Sequence, residues 1–268
     1  MNRISEAIHG IHHLEAMARK DNDITRLHPL AKVLVTFWYI CFLVSFDKYD
    51  LTGLLGMSLY LILLKEITHI SLGRSLRQLR AVIAMLCLVG IANPFLDQSV
   101  WMKLGDITIT GGMISMLTLV IKGVFALLAS YFLIATTSIE NICYALRLLH
   151  IPKVIVTVMM LIYRYIILFT KEVERVSLSY SLRAPKQKGI HYKAWGSLLG
   201  QMLLRSMDRA DTVYESMSIR GFQGEFYLSK TTRPGDNIRS VCYLIFTASL
   251  ITVFRIFPIF EIVGRIFA

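Results

Sequence analysis

Charge is scarce in this 268-residue chain: Asp, Glu, Lys and Arg together make up 18% of it, against about 25% in a soluble domain. Cysteine is scarce too. Cys41, Cys87, Cys143 and Cys242 stand far apart with no CxxC pair. That excludes a readable zinc site or disulfide framework and leaves them as small hydrophobes. The motifs HExxH, GxSxG and GxxxxGK(S/T) do not occur, so the sequence carries no P-loop with which to bind ATP itself. Carboxylates are nearly missing from the long apolar runs, so a proton or cation relay through them has no carrier. Met1 to Lys32 is polar and mixed in charge, without an apolar stretch. No cleavable leader is expected there, and insertion must rely on later segments.

What is present is apolar. The chain is 55% hydrophobic with a mean hydropathy of +0.57, a composition that argues for a membrane protein and against a disordered or disulfide-stapled one. It nevertheless carries 29 Lys and Arg against 18 Asp and Glu, a net charge of +11. Where that charge sits decides the topology.

Five continuous apolar runs are long enough to be spans once their neighbours are drawn in: Val33–Phe46, Leu51–Leu64, Ala81–Leu96, Gly112–Ala135 and Ser240–Phe257. They do not alternate as barrel strands would, so helices are expected. The first two form a hairpin with a polar tip at Asp47-Lys48-Tyr49-Asp50. A sixth run, Val154–Phe169, would be a span by hydropathy alone. The positive-inside rule reads otherwise. The loop Lys65–Arg80 holds four basic residues and one acid, and is expected in the cytoplasm. Asp97–Gly111 is expected to be an external loop. Thr170–Arg239 holds twelve basic residues and seven acids, a net +5, and is cytoplasmic only if Val154–Phe169 does not cross. Arg164 in its middle agrees, since a mid-bilayer Arg costs at least about 2.5–3.5 kcal/mol. Pro152–Arg183 is therefore expected as one long interfacial helix, started at Pro152 and ended by Pro185.

A second amphipathic helix is expected over Tyr192–Ile219, stopped by Gly221. Arg205 and Asp208 stand at i,i+3 and can support it as a pair, with Arg209 beside them. A shorter amphipathic piece is expected over Ile139–Leu149, and Lys186–Gly189 and Thr231–Asn237 are expected linkers. The expected fold is an all-α integral membrane protein of about five transmembrane helices plus a helical cytoplasmic domain. Its parts are a cytoplasmic N-terminal segment 1–32, a four-helix bundle 33–137, the cytoplasmic domain 138–237, and the last span with the C-terminus 238–268.

Candidate sites are few. His9 and His13 share an i,i+4 spacing that could hold a divalent metal, but a solvated N-terminal helix is the expected reading, and no metal site is expected. Lys122 lies within the fourth span and is expected to snorkel to the outer interface or to pair with a partner chain. Ser181-Leu182-Arg183-Ala184 and Ser218-Ile219-Arg220-Gly221-Phe222 each put one Arg at a helix C-terminus beside small residues. There an Arg complements the helix dipole and can grip a carboxylate bidentately.

At these residues the sequence resembles the transmembrane T component of energy-coupling factor (ECF) transporters, in its cobalt-type branch, CbiQ. His28-Pro29-Leu30-Ala31-Lys32-Val33-Leu34 is similar to the pre-span segment of that family, which usually has Asp-Pro where this chain has His-Pro. Thr136-Thr137-Ser138 with Ile151-Pro152, Tyr163-Arg164-Tyr165-Ile166 with Glu172 and Glu174, and Leu204 to Tyr214 through Arg220-Gly221-Phe222 are similar to further family stretches. The resemblance implies two Ala-Arg-Gly motifs, each arginine entering a groove of one of two ABC-type ATPase subunits. Carried over, these are Arg183 and Arg220, with Ser181, Ala184 and Gly221 around them, on helices supported by Pro152, Arg164, Arg205, Asp208 and Arg209. This sequence departs from the motif at both places, reading Leu-Arg-Ala before Pro185 and Ile-Arg-Gly at the second.

The implied role is mechanical and non-catalytic. ATP and Mg bind the partner ATPases, this chain binds no cofactor, and a separate membrane substrate-binding S component or CbiM-like subunit is moved. Cobalt or nickel is the implied cargo, with a vitamin such as biotin as the alternative and an autonomous carrier as a further one. The implied location is the bacterial or archaeal cell (inner) membrane, multi-pass, with a cytoplasmic N-terminus. No nucleic-acid partner is expected.

Overall fold

The computed structural model describes residues 24, 27–68, 72–96, 100–104, 107–185, 189–224, 226 and 236–256. Their elements, in chain order, are α1 (Pro29–Val44), α2 (Leu51–Thr68), α3 (Leu72–Gly90), α4 (Asn93–Leu96), β1 (Val100–Leu104), β2 (Ile107–Thr110), α5 (Gly111–Thr136), α6 (Ile139–Leu148), α7 (Lys153–Arg183), α8 (Tyr192–Ile219) and α9 (Asp236–Ile256). Three helices are long and apolar enough to cross a membrane by length and composition: Gly111–Thr136, Lys153–Arg183 and Asn237–Arg255. Shorter apolar helices accompany them at Pro29–Val44 and Leu79–Gly90. The chain is an all-α membrane protein.

Two compact units divide it. One is Met17–Ser138 together with Thr231–Ala268; the other contains Ile139–Lys230. The first is a bundle of α1, α2, α3, α4, α5 and α9. Its core is aromatic and aliphatic: Val35, Tyr39, Leu43, Leu54, Tyr60 and Phe132 are buried. The rings of Tyr39 and Tyr60 lie 4.6 Å apart, and the Tyr39 hydroxyl donates to the Met57 carbonyl at 3.2 Å. Satisfying that hydroxyl matters, because an unpaired polar group in an apolar core is expensive.

Two lysines tie α1 to α5. Lys32 Nζ donates to the Thr136 carbonyl at 3.1 Å, and Lys122 Nζ donates to the carbonyls of Phe46 and Asp47. Residues 32 to 46 and 122 to 136 are the same number of steps apart, each about 21 Å of helix rise. The two antiparallel helices are thus pinned at both ends in register. Arg255 of α9 adds a second cation at the C-terminal end of α1: Nη2 donates to Ser45 O at 3.2 Å and the guanidinium lies 4.5 Å from the Phe46 ring centroid. A helix C-terminus is electronegative, so cations belong there. Lys122 thus reaches the polar tip of the α1–α2 hairpin, the direction in which snorkelling would carry it.

The start of α1 explains the His-Pro sequence. His28 is the N-cap, its Nδ1 accepting from the Leu30 N–H at 3.3 Å, which is the work an Asp carboxylate does at that position. Its own N–H donates to Ser240 Oγ of α9 at 2.7 Å.

Three expectations are corrected. The third apolar helix does not begin at Ala81 but at Leu72, and it breaks at Gly90 before the short α4 that contains Pro94. Most of Lys65–Arg80 is consequently helix end rather than loop. Asp97–Gly111 is not plain loop: β1 and β2 pair antiparallel, Lys103 with Thr108 and Leu104 with Ile107, with an irregularity between Val100 and Met102.

Candidate functional site

The Ile139–Lys230 unit carries the residues singled out in the sequence. The short α6 packs on α7 with Cys143 and Ala145 fully buried. Burial, then the charge of nearby Glu140, pushes the Cys143 thiol up, so it stays protonated and inert. Between α6 and α7 the chain turns through His150, which has φ 62°. The Ile151 N–H reaches back to Leu146 O at 3.3 Å and the His150 N–H to Arg147 O at 3.1 Å. Pro152 then caps α7.

Helices α7 and α8 follow as rods of 31 and 28 residues, about 46 and 42 Å long. They run antiparallel. A cavity of about 240 Å³ is lined by residues of the C-terminal half of α7 (Val176, Tyr180) and the N-terminal half of α8 (Trp195, Leu199). A larger one of about 670 Å³ is lined by Thr157, Leu161 and Tyr165 from the first half of α7 and by Ala210, Tyr214 and Met217 from the second half of α8. Between the two cavities stands an ion pair: Arg205 Nη1 lies 2.5 Å from Glu172 Oε1. Arg175 approaches the other oxygen at 3.7 Å. Arg205 thus turns to the opposite helix rather than to Asp208, one turn along its own. Asp208 and Arg164 are exposed. Arg209 is exposed too and lines the larger cavity.

The two candidate arginines occupy opposite ends of this pair. Arg183 is the last residue of α7, beside the start of α8, where the His191 N–H donates to the Tyr180 hydroxyl at 3.3 Å. Arg220 is the C-cap of α8. The length of α8 separates them, on the order of 40 Å. Both are exposed, and neither is ion-paired with another described residue.

Their caps differ. After Arg220, Gly221 has φ 77°, its N–H donates to Ser218 O, and the Phe222 N–H donates to Met217 O, both at 3.0 Å. These are the two bonds of a Schellman cap, which requires a left-handed residue and hence favours Gly. After Arg183, Ala184 has φ −129° and ψ 64° and its N–H donates to Tyr180 O; with Pro185 next, no left-handed Schellman cap forms. Ser181 and Ala184 flank the first arginine; the Ser181 hydroxyl donates to Leu178 O at 2.8 Å. His9, His12 and His13 lie outside the described residues.

Sequence reasoning missed the Glu172–Arg205 pair and the return of the chain after Gly224, both long-range. No local pattern marks either.

Comparison with known proteins places these elements. Two uncharacterized proteins of Methanocaldococcus jannaschii are similar to the chain. MJ1089 is 30% identical over 129 residues, 48% of this chain and 45% of that protein. MJ1571 is 24% identical over 179 residues, 66% and 61% respectively. The chain spans less than two thirds of either relative. Residues 20–231 match the cobalt transport protein family CbiQ, a stretch that takes in the bundle helices α1 to α5 and all of α6 to α8, and the chain is a member of that family.

Proposed function

We propose that this membrane transport component is the coupling subunit of an ECF-type ABC importer. Two cytoplasmic ATPases bind and hydrolyse ATP with Mg. Their motion enters this chain at Arg183 and Arg220, and α7 and α8 pass it to a separate membrane subunit that binds the substrate. The chain itself makes and breaks no covalent bond and holds no cofactor. The observation that carries this reading is the pair of exposed arginines at the C-termini of two antiparallel helices, each without an acidic partner among the described residues. Such an arginine suits a carboxylate-lined groove on another protein.

On this reading α6 to α8 lie on the cytoplasmic side, as their excess of positive charge favours, and α7 runs along the interface although its apolar half is long enough to cross. Cobalt is the cargo that the family description favours, with nickel beside it; selection rests with the substrate-binding subunit.

The test is co-purification of the chain with co-expressed ATPases, followed by Arg183→Glu and Arg220→Glu. Loss of a desolvated docking arginine leaves its carboxylate partner unpaired, which costs about 2–5 kcal/mol, so each variant is expected to shed the ATPases and to stop Co²⁺ uptake by the assembled transporter. ATPases that never associate, or two charge-reversed variants with full complex and full uptake, refute the coupling role.

A further inference from the structure

The end of α8 does not stop at its cap. Gly221 reverses the chain, Gly224 has φ 87°, and the segment then returns to the beginning of α7 and the end of α6. The Thr157 hydroxyl donates to Gly224 O at 3.2 Å. Arg147 Nη1 donates to Phe226 O at 3.2 Å. The rings of Phe222 and Phe226 lie 5.3 Å apart, and Phe222 and Gly224 help to line the larger cavity beside Val154, Thr157, Tyr214 and Met217.

We infer that residues 221–224 and Phe226 form a strap that sets the position of Arg220, and that Arg147 and Thr157 are positioning residues for the docking of the second ATPase. The inference rests on the coupling reading above. Four residues of chain span at most about 14 Å, so Arg220 cannot stray further than that from Gly224, which is bonded to the second turn of α7. The distance between the two arginines is then governed by α7 as well as by α8. From Thr157 to Arg183, α7 rises about 39 Å. The helix pair is a closed frame: joined at one end by the connection from Arg183 to His191, crossed in the middle by Glu172 and Arg205, and closed at the other end by the strap.

Opening the strap leaves α8 held at its start and at Arg205. From there the free arm to Arg220 is about 22 Å, so about 10° of swing moves the arginine by about 4 Å. A bidentate contact with a carboxylate, made at under 3 Å, does not survive such a displacement. Two docking arginines that must meet two grooves at once need a fixed separation, because binding at the second site then becomes effectively intramolecular.

The experiment uses the full chain in lipid nanodiscs with its native cysteines replaced and spin labels at Leu182→Cys and Ile219→Cys, two exposed positions next to the arginines. The strap is opened with Arg147→Met and Thr157→Val, which remove the two donors while keeping side-chain bulk. A narrow label–label distance distribution near 40 Å is expected for the starting protein, a broad one for the double variant, and a narrow one again for Arg147→Lys. In parallel, co-purification with the ATPases is expected to fall about thirtyfold, the equivalent of the two hydrogen bonds removed at net strength, and about fivefold for each single variant, while the melting temperature of the bundle stays put. An unchanged distance distribution overturns the strap. So does a broadened one with full ATPase association, provided Arg220→Glu abolishes it. If Arg220→Glu also leaves association intact, the docking reading is what fails, and the distance measurement still judges the strap. Should the double variant not assemble, the single variants each remove one bond and carry the same readouts.

Discussion

Replacing Arg205 with Ala tests whether one ion pair holds two 40-Å helices together. The contact is short, 2.5 Å, with the Glu172 side chain 28% exposed and that of Arg205 60% exposed. Unit charges 4 Å apart attract by about 1 kcal/mol in water and about 4 at an effective dielectric of 20. Holding two long side chains offsets much of this, and exposed pairs measure about 0.2–1 kcal/mol. A half-buried carboxylate taking a charge-assisted hydrogen bond belongs at the upper end of that range, so about 1 kcal/mol of coupling is expected. Arg175, 79% exposed and at 3.7 Å, should contribute a few tenths at most. The assay is hydrogen exchange of the amides in the middle of α8, compared across Arg205→Ala, Glu172→Ala and the double variant. About 1 kcal/mol corresponds to roughly fivefold faster exchange. Half or more of the effect should vanish at about 1 M salt, where screening falls to about 3 Å. Coupling below about 0.3 kcal/mol, or a loss indifferent to salt, refutes the pair as the tie between the helices.

Three further substitutions follow from the geometry. His28→Asp restores a stronger N-cap at α1 and is expected to hold or raise the melting temperature, whereas His28→Ala loses about 1 kcal/mol. His150→Gly removes a side chain from a left-handed position with φ 62° and should stabilise the α6–α7 turn by about 1 kcal/mol, read as a higher melting temperature; a lower one shows that the histidine makes a compensating contact. Lys122→Met strips the Phe46 and Asp47 carbonyls of their donor and is expected to cost about 1–3 kcal/mol, while Lys122→Arg keeps most of the stability in the same thermal assay.

Much of this architecture is legible before any coordinates. Helix α8 runs from Tyr192 to Ile219 as its three-and-four spacing and Gly221 dictate, and α7 is bounded by Pro152 and Pro185 because proline starts helices well and continues them badly. The exposed arginines at both helix ends are legible for the same reason: they sit at punctuation. What escapes is what depends on distant chain. Glu172 is 33 residues from Arg205, and the nearer Asp208 is the partner that helical spacing suggests. Lys122 finds carbonyls 75 residues away, an outcome set by the register of α1 on α5 that no local pattern encodes. The sequence around β1 and β2 did carry a local signal: a Gly-Asp pair at 105–106 between the alternating runs Met102–Leu104 and Ile107–Thr110 is a hairpin pattern. Its few charges made it read as a loop.

The two arginine ends are unequal, and the coupling reading turns that into a measurable difference. Arg220 precedes a Schellman cap with both of its bonds formed, and the chain beyond it is tied to Thr157 and Arg147. Arg183 precedes Ala184, whose N–H closes the last turn on Tyr180 O at 3.0 Å, but Pro185 has no N–H with which to add the second bond of a Schellman cap. A backbone held in place before binding surrenders less freedom when its arginine docks, by about 1 kcal/mol. Arg220→Ala should therefore weaken ATPase association more than Arg183→Ala, by roughly two- to tenfold in affinity. Titrating purified ATPase onto each variant in nanodiscs gives the ratio. Equal losses, or a greater loss at Arg183, would mean that the grooves impose their own order on both ends and that the cap after Arg220 serves the helix alone.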